Sequence, residues 1–261
     1  MSLGSKMSRW LKASVAMIYG FVLFAPVIVI YYSFSPTVML EVPPSGLTLR
    51  WYANLFDHSR LVNGIGASIA VAALATTIAV ALGVPAAYAL TRSRRVVLSS
   101  VFLSPLILPG IVLALGLLMA MSIATPSLVG SMWPLIGAHV LVTLPWVIRT
   151  VSANLEIADP HLDEAARGLG ASPIQTFFLV TLPSIRPGIV TGAIFAFIVS
   201  FGNFALSLFF ASGRLTTLPV AIFEYIDQFQ DPTVAAASSL VILATTLLVV
   251  AGTHAKKMEL P

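Results

Sequence analysis

Cysteine is absent from the 261-residue chain. Disulfides, thiolate metal sites and cysteine nucleophiles are therefore excluded, and the redox compartment stays open. Charge is scarce too: Asp, Glu, Lys and Arg together make up 9% of the residues, against roughly a quarter in an ordinary soluble domain. With 58% hydrophobic residues, so few charges cannot cover a soluble fold of this size. A soluble enzyme, a disordered chain and a nucleic-acid-binding domain are all disfavoured. There are only four lysines, Lys6, Lys12, Lys256 and Lys257. None follows a glycine-rich stretch, so no phosphate-cradling P-loop is present. The histidines His58, His139, His161 and His254 are scattered, without the spacing of a zinc site or a catalytic triad. No catalytic residue and no metal site is expected, and any energy must come from another chain or an ion gradient.

What the chain has is long uncharged runs. Lys12 to Glu41 encloses 28 residues without Asp, Glu, Lys or Arg, Arg60 to Arg92 encloses 31, Arg95 to Arg149 encloses 53, Arg186 to Arg214 encloses 27, and Pro232 to Ala255 gives 24. A crossing helix needs about 20 apolar residues. The longest run reaches about 80 Å at 1.5 Å per residue, and Thr125-Pro126-Ser127, Gly130 and Trp133-Pro134 split it into two helices. The reading is an all-α polytopic membrane protein, one domain over 1–261, with six spans near 13–35, 64–90, 97–122, 132–152, 187–210 and 232–253. Pro105 and Pro109 are expected to bend the third span. The apolar run after Lys6, Arg9 and Lys12 offers no small-residue cleavage site and is read as an uncleaved first span. These spans contain no carboxylate, which lowers the expectation of a proton-coupled carrier.

Six spans place both termini on one side. That side then carries Lys6, Arg9, Lys12, Arg92, Arg94, Arg95, Arg149, Arg167, Arg186, Lys256 and Lys257, and the other only Arg50, Arg60 and Arg214. The bias puts both termini in the cytoplasm, and the net charge of +4 reads as membrane orientation rather than as a nucleic-acid patch.

The loop at about 158–183 then lies on the cytoplasmic side. Asp159-Pro160 forms a helix start, and Leu162, Ala165, Ala166 and Leu169 recur at helical spacing. Gly170 offers a left-handed stop, and Ser172-Pro173 starts a second short helix that ends at Leu182-Pro183. Beyond it, Gly188 and Gly192 have the spacing that lets helices approach closely. Asp231-Pro232 caps the sixth span, and Leu215 to Phe223 is too short to cross.

Glu164-Ala165-Ala166, then Gly170, Val180 and Leu182-Pro183 at fixed distances, resemble the EAA motif of the permease subunits of type I ABC importers. Val180 stands where isoleucine is usual. The resemblance covers nearly the whole chain and implies a non-catalytic pore subunit. Glu164, Ala165, Ala166, Leu169, Gly170 and Pro183 would form a coupling helix on a separate ATPase, which would hold the ATP and Mg. It also implies a second permease chain, by resemblance a heterodimer partner, and a periplasmic or extracellular solute-binding protein. The setting would be the cytoplasmic (inner) membrane of a prokaryote, with lipid and no nucleic acid as surroundings. Within the family the chain is most similar to polyamine-type permeases, through Thr48-Leu49-Arg50-Trp51-Tyr52 and the run from Ser200 to Gly213. It departs from them at Gly202 and Asn203, where an acidic pair is frequent. A neutral amide attracts a polycation less than a carboxylate does, so an amino-acid derivative, an opine-like compound or an aminophosphonate stands beside a polyamine-like cargo. Ser200, Asn203 and His139 are candidates for the translocation pathway, with helix packing the competing role for Asn203 and His139. The alternative is a gradient-driven carrier or channel working without an ATPase.

Overall fold

The computed structural model of the chain describes residues 9–39, 41–43, 45–93, 96–159, 161–212 and 215–258. Pro160 of the expected helix start lies outside them, as do Lys6, Arg94, Arg95 and Arg214 of the charge count and Gly213 of the polyamine-type run. In chain order the helices are α1 (Arg9–Ser33), α2 (Arg50–Asp57), α3 (Ser59–Ser93), α4 (Val96–Leu103), α5 (Gly110–Ala124), α6 (Met132–Ile157), α7 (His161–Gly168), α8 (Pro173–Thr176), α9 (Leu182–Ser184), α10 (Arg186–Phe201), α11 (Phe204–Phe210), α12 (Leu218–Gln228) and α13 (Thr233–Met258). Among the described residues the only strand-like feature is an isolated bridge between Ser212 and Leu215.

Four segments are long and apolar enough to cross a bilayer: Trp10–Ser33, Ser59–Ser93, Met132–Ile157 and Thr233–Thr253. They coincide with the expected first, second, fourth and sixth spans. The other two differ from expectation. Ser100–Leu106 and Gly110–Ala124 meet at 110°, so the run 97–122 is two helices rather than one bent helix. Pro105 sits in a tight turn and Pro109 is extended, with ψ 128°. Each proline removes a helical donor, and their spacing leaves no room to resume the ladder between them. The run 187–210 is also interrupted. Its first helix, α10, has 16 residues, about 24 Å of rise, and stops at Gly202. Asn203, expected in the interior of a span, is instead the cap of α11, where its Oδ1 accepts the Leu206 N–H at 2.9 Å. A short amide side chain gains more by capping a new helix than by continuing an old one. The second arm of the loop, Pro173–Ser184, meets Arg186–Phe201 at 68°, with Pro187 at the start of α10. Counting each bent pair as one span brings the total from four to at most six.

The chain forms two compact units. In the first, residues 1–59 and 224–246, hydrogen bonds tie α2 to distant residues. The Trp51 indole donates to the Ser35 carbonyl at 2.7 Å, and the Tyr52 hydroxyl lies 2.7 Å from Ser33 Oγ and 2.8 Å from Ser239 Oγ. Asn54 donates to the Tyr225 hydroxyl and to Thr233 Oγ1. Asp231 accepts from the Tyr225 hydroxyl and the Thr233 N–H, both at 2.9 Å, and so caps α13.

In the second unit, residues 60–223 and 247–261, α6 is the central packing element. One core joins Ala79, Val84, Ala87 and Leu90 of α3 to Val147, Ile148 and Val151 of α6 and to Ala196 of α10. A second joins Val71, Ala114, Leu135, Ala138, Leu206 and Phe210. Small residues make this closeness possible. A Cβ on Gly83 would lie 2.8 Å from Val147 Cγ1, and one on Gly188 would lie 2.7 Å from Asn154 Nδ2. One on Gly192 would run into Thr150 Oγ1 and stand 3.1 Å from the Val147 backbone. The spacing of Gly188 and Gly192 thus serves the packing of α10 along α6. A Gly192→Val chain is expected to lose about 1–3 kcal/mol to overpacking. Gly116→Ala, inside α5 with open space around its Cβ position, should instead gain up to about 1 kcal/mol through helix propensity; thermal unfolding of the two proteins in the same detergent measures the contrast.

Candidate functional site

The loop after α6 folds as a helical hairpin. Asp159 Oδ1 accepts the His161 N–H at 3.0 Å and opens α7. The helix stops at Gly170, whose φ is +91°. Paired bonds close the stop: the Ala171 N–H donates to the Ala166 carbonyl at 3.1 Å and the Gly170 N–H to the Arg167 carbonyl at 3.0 Å, which satisfies two otherwise orphaned carbonyls. The return arm starts at once. Ser172 and Gln175 cap each other reciprocally, with Pro173 in the first turn. Such a box holds the arm's first donors without any help from lipid or solvent. The arm continues through a wider π-helical run, Phe177–Thr181, and ends at Ser184.

Charge and apolarity are inverted on this hairpin. The buried residue of α7 is Asp163, a side chain that the sequence reading passed over. Its Oδ1 accepts the Thr181 hydroxyl at 3.0 Å, and its Oδ2 pairs with the Arg92 guanidinium at the end of α3. Arg92 also lies over the Tyr88 ring, 5.3 Å from its centroid, and Tyr88 meets Phe177 edge to face at 5.1 Å. Meanwhile Leu162, Leu169, Ile174, Phe178 and Leu179 are exposed. Of the expected coupling residues, Glu164, Ala165, Leu169, Gly170 and Pro183 are exposed and Ala166 is half-buried. The Glu164 carboxylate lies 3.3 Å from His161 Nδ1 on the same helix face. A cavity of about 890 Å³ opens between the hairpin and the ends of α3 and α6, lined by Tyr88, Arg92, Arg149, Glu156, Asp163 and Thr181 among others.

The pathway candidates lie elsewhere. His139 of α6 is 1% exposed and Ser200 of α10 is 2% exposed. His139 Nδ1 and Ser200 Oγ are 2.8 Å apart, and His139 Nε2 is 3.5 Å from Ser207 Oγ of α11. One imidazole thus touches the helices on both sides of the Gly202-Asn203 break. Of the three candidates, His139 and Ser200 are brought together and neither lines the cavity. Asn203 spends its carbonyl oxygen on the cap. Ser207 was missed, although its place four residues past Asn203 puts it inside the helix that the amide starts. Asp163 and Arg92 were missed because nothing in the local pattern relates residues 71 positions apart.

Gly170 supports a direct test of the turn. A Cβ there meets open space, so only the left-handed backbone opposes substitution. Gly170→Ala is expected to lower the local opening free energy of the hairpin by about 1–2 kcal/mol. Gly168→Ala, in helical conformation with equal space, should raise it by about 1 kcal/mol through helix propensity. Hydrogen exchange followed on peptides covering 161–184 separates the two.

Residues 79–258 match the family described as "Binding-protein-dependent transport system inner membrane component". The putrescine transport system permease protein PotI of Escherichia coli K12 is 31% identical over 247 residues, covering 90% of this chain and 86% of the relative. The spermidine/putrescine permease PotC of Haemophilus influenzae is 29% identical, covering 94% and 96%. Among solved structures, a bacterial ABC transporter for the import of alginate superposes with a TM-score of 0.75 at 14% identity, over 97% of this chain and 96% of that one. The MetNI methionine ABC transporter superposes at 0.64 with 21% identity, over 77% and 96%. The alternative of a carrier or channel working on its own is set aside. The chain belongs to the binding-protein-dependent transport system inner membrane components and is a membrane-spanning permease subunit of such an importer.

Proposed function

We propose that the hairpin 158–184 is the coupling element of this permease and that an ATPase subunit, holding ATP and Mg, seats on it from the cytoplasm. The observation that carries this reading is its surface. Leu169 is 91% exposed, Leu179 73%, Ile174 71% and Phe178 59%, on an element whose turn at Gly170 and second start at Ser172 are closed by hydrogen bonds. Apolar side chains presented together on a well-built extramembrane element are the mark of a protein-docking surface. Ala165 and the half-buried Ala166 keep α7 slim enough to enter a cleft, and Glu164, exposed beside them, supplies a charge at its rim. The excess of Lys and Arg on the hairpin's side of the chain supports cytoplasmic termini.

The remaining partners follow from the kind of system. A periplasmic or extracellular binding protein delivers the solute, and a second permease chain, a different polypeptide in this reading, completes the pore. The cargo is a small polar organic solute. The relatives named for putrescine and spermidine keep a polyamine among the candidates. The neutral Gly202-Asn203 pair favours a cargo less cationic than a polyamine, such as an amino-acid derivative, an opine-like compound or an aminophosphonate. In this reading His139, Ser200 and Asn203 border the pathway when the broken segment at 202–203 moves.

Glu164→Lys and Gly170→Asp are expected to insert at native levels while recovering about 10-fold less ATPase in gentle affinity purification, the scale of an interface hot spot. Unchanged recovery of the ATPase with both variants would overturn the assignment.

A further inference from the structure

We propose that the Arg92–Asp163 ion pair is a strut that makes α3 move as one body with the coupling hairpin, and that Arg92 and Asp163 are positioning residues for transport. The inference rests on the coupling role proposed above and goes beyond it by naming the helix that receives the movement. The hairpin is joined covalently to α6 on one side and to α10 on the other. Nothing in the chain path joins it to α3, and the pair that does so links residues 71 positions apart.

Stability alone does not account for a carboxylate at this place. Burying a carboxylate is costly unless it is paired and hydrogen-bonded, and Arg92, whose side chain is half exposed, reaches in from the surface to pair with it. Asp163 occupies the buried position of α7, its side chain 10% exposed. Its two oxygens act in two directions. Oδ1 holds Thr181 and so braces α7 against the return arm; Oδ2 holds Arg92 and so reaches out to α3. The π-helical run brings Phe177 and Thr181 to the same patch, and Tyr88 lies between Arg92 and Phe177. Wide helical turns of this kind recur at functional sites.

The cavity completes the argument. Some 890 Å³ of space lies beside the pair, between the hairpin and the ends of α3 and α6. A hairpin packed solidly on α3 would move it by contact alone. Here the return arm meets α3 through Phe177 and Tyr88, whereas α7 faces α3 across the gap and is tied to it by the charged pair, so a load on α7 reaches α3 through that pair. Without the pair, a push on α7 would be taken up at Gly170 and at the α6 junction.

The absence of native cysteine permits a clean test. Spin labels at Arg167→Cys on α7 and Leu82→Cys on α3, both exposed positions, report their separation by pulsed electron resonance in the purified permease–ATPase complex, with and without ATP and vanadate. With the native pair, the distance is expected to stay constant while nucleotide alters the mobility of the label at 167. Arg92→Gln leaves the Asp163–Thr181 bond in place; with it, nucleotide should shift the distance by about 2 Å or more, the scale of helix shifts in switching proteins. The exchanged pair Arg92→Asp with Asp163→Arg should return it to constancy, which a general loss of folding would not do. A nucleotide-driven distance change in the native chain, or none in Arg92→Gln, overturns the strut. If the 167 label never senses the ATPase or its nucleotide, the coupling role itself fails and the strut falls with it.

Discussion

Backbone hydrogen bonding in a medium without water is the constraint on which this structure depends. Hydrocarbon offers no partner for a free N–H or C=O, so a spanning chain is helical, and each interruption needs its own supply of donors and acceptors. The interruptions described here are repaired by nearby groups. Asn203 takes up the Leu206 N–H after the break at Gly202. Ser172 and Gln175 cap each other at the start of the return arm. Gly170 turns left-handed so that the Ala171 and Gly170 amides satisfy the end of α7. Asp231 caps α13. Of these four, the break at Gly202 interrupts an apolar run, while the caps on the hairpin and at Asp231 close helix ends outside the expected spans.

Packing between helices obeys a second condition. Lipid tails are as apolar as the side chains, so association relies on close approach rather than on the exclusion of water. Gly83, Gly188 and Gly192 let α3 and α10 come close to α6. Between α10 and α11, His139 of α6 holds a serine on each side of the break. A rigid packed pair and a stapled broken helix lie on the same element.

Much of this was legible in the sequence, because it is written in local patterns. The uncharged runs overlap the four helices long and apolar enough to cross a bilayer, the Gly170 and Ser172-Pro173 pattern marks the hairpin turn, and the Gly188–Gly192 spacing marks the close helix contact. The breaks were less legible. Gly202-Asn203 is a stop-and-start signal, but a continuous apolar window concealed it. The prolines at 105 and 109 announced a bend and not its 110° size, which depends on both acting within one short turn. The Arg92–Asp163 pair and the alignment of His139 with Ser200 and Ser207 were not legible. They join residues far apart in the chain, and only the packed bundle brings them together.

The central claim is that the hairpin is the cytoplasmic handle of this importer. A single cysteine at Leu169, in a chain with no other, probed with a membrane-impermeant thiol reagent in vesicles of known orientation, tests it most directly. The account predicts labelling in inside-out vesicles, little in right-side-out ones, and protection when the ATPase is bound. Labelling from the outer face, or equal labelling with and without the ATPase, would contradict it.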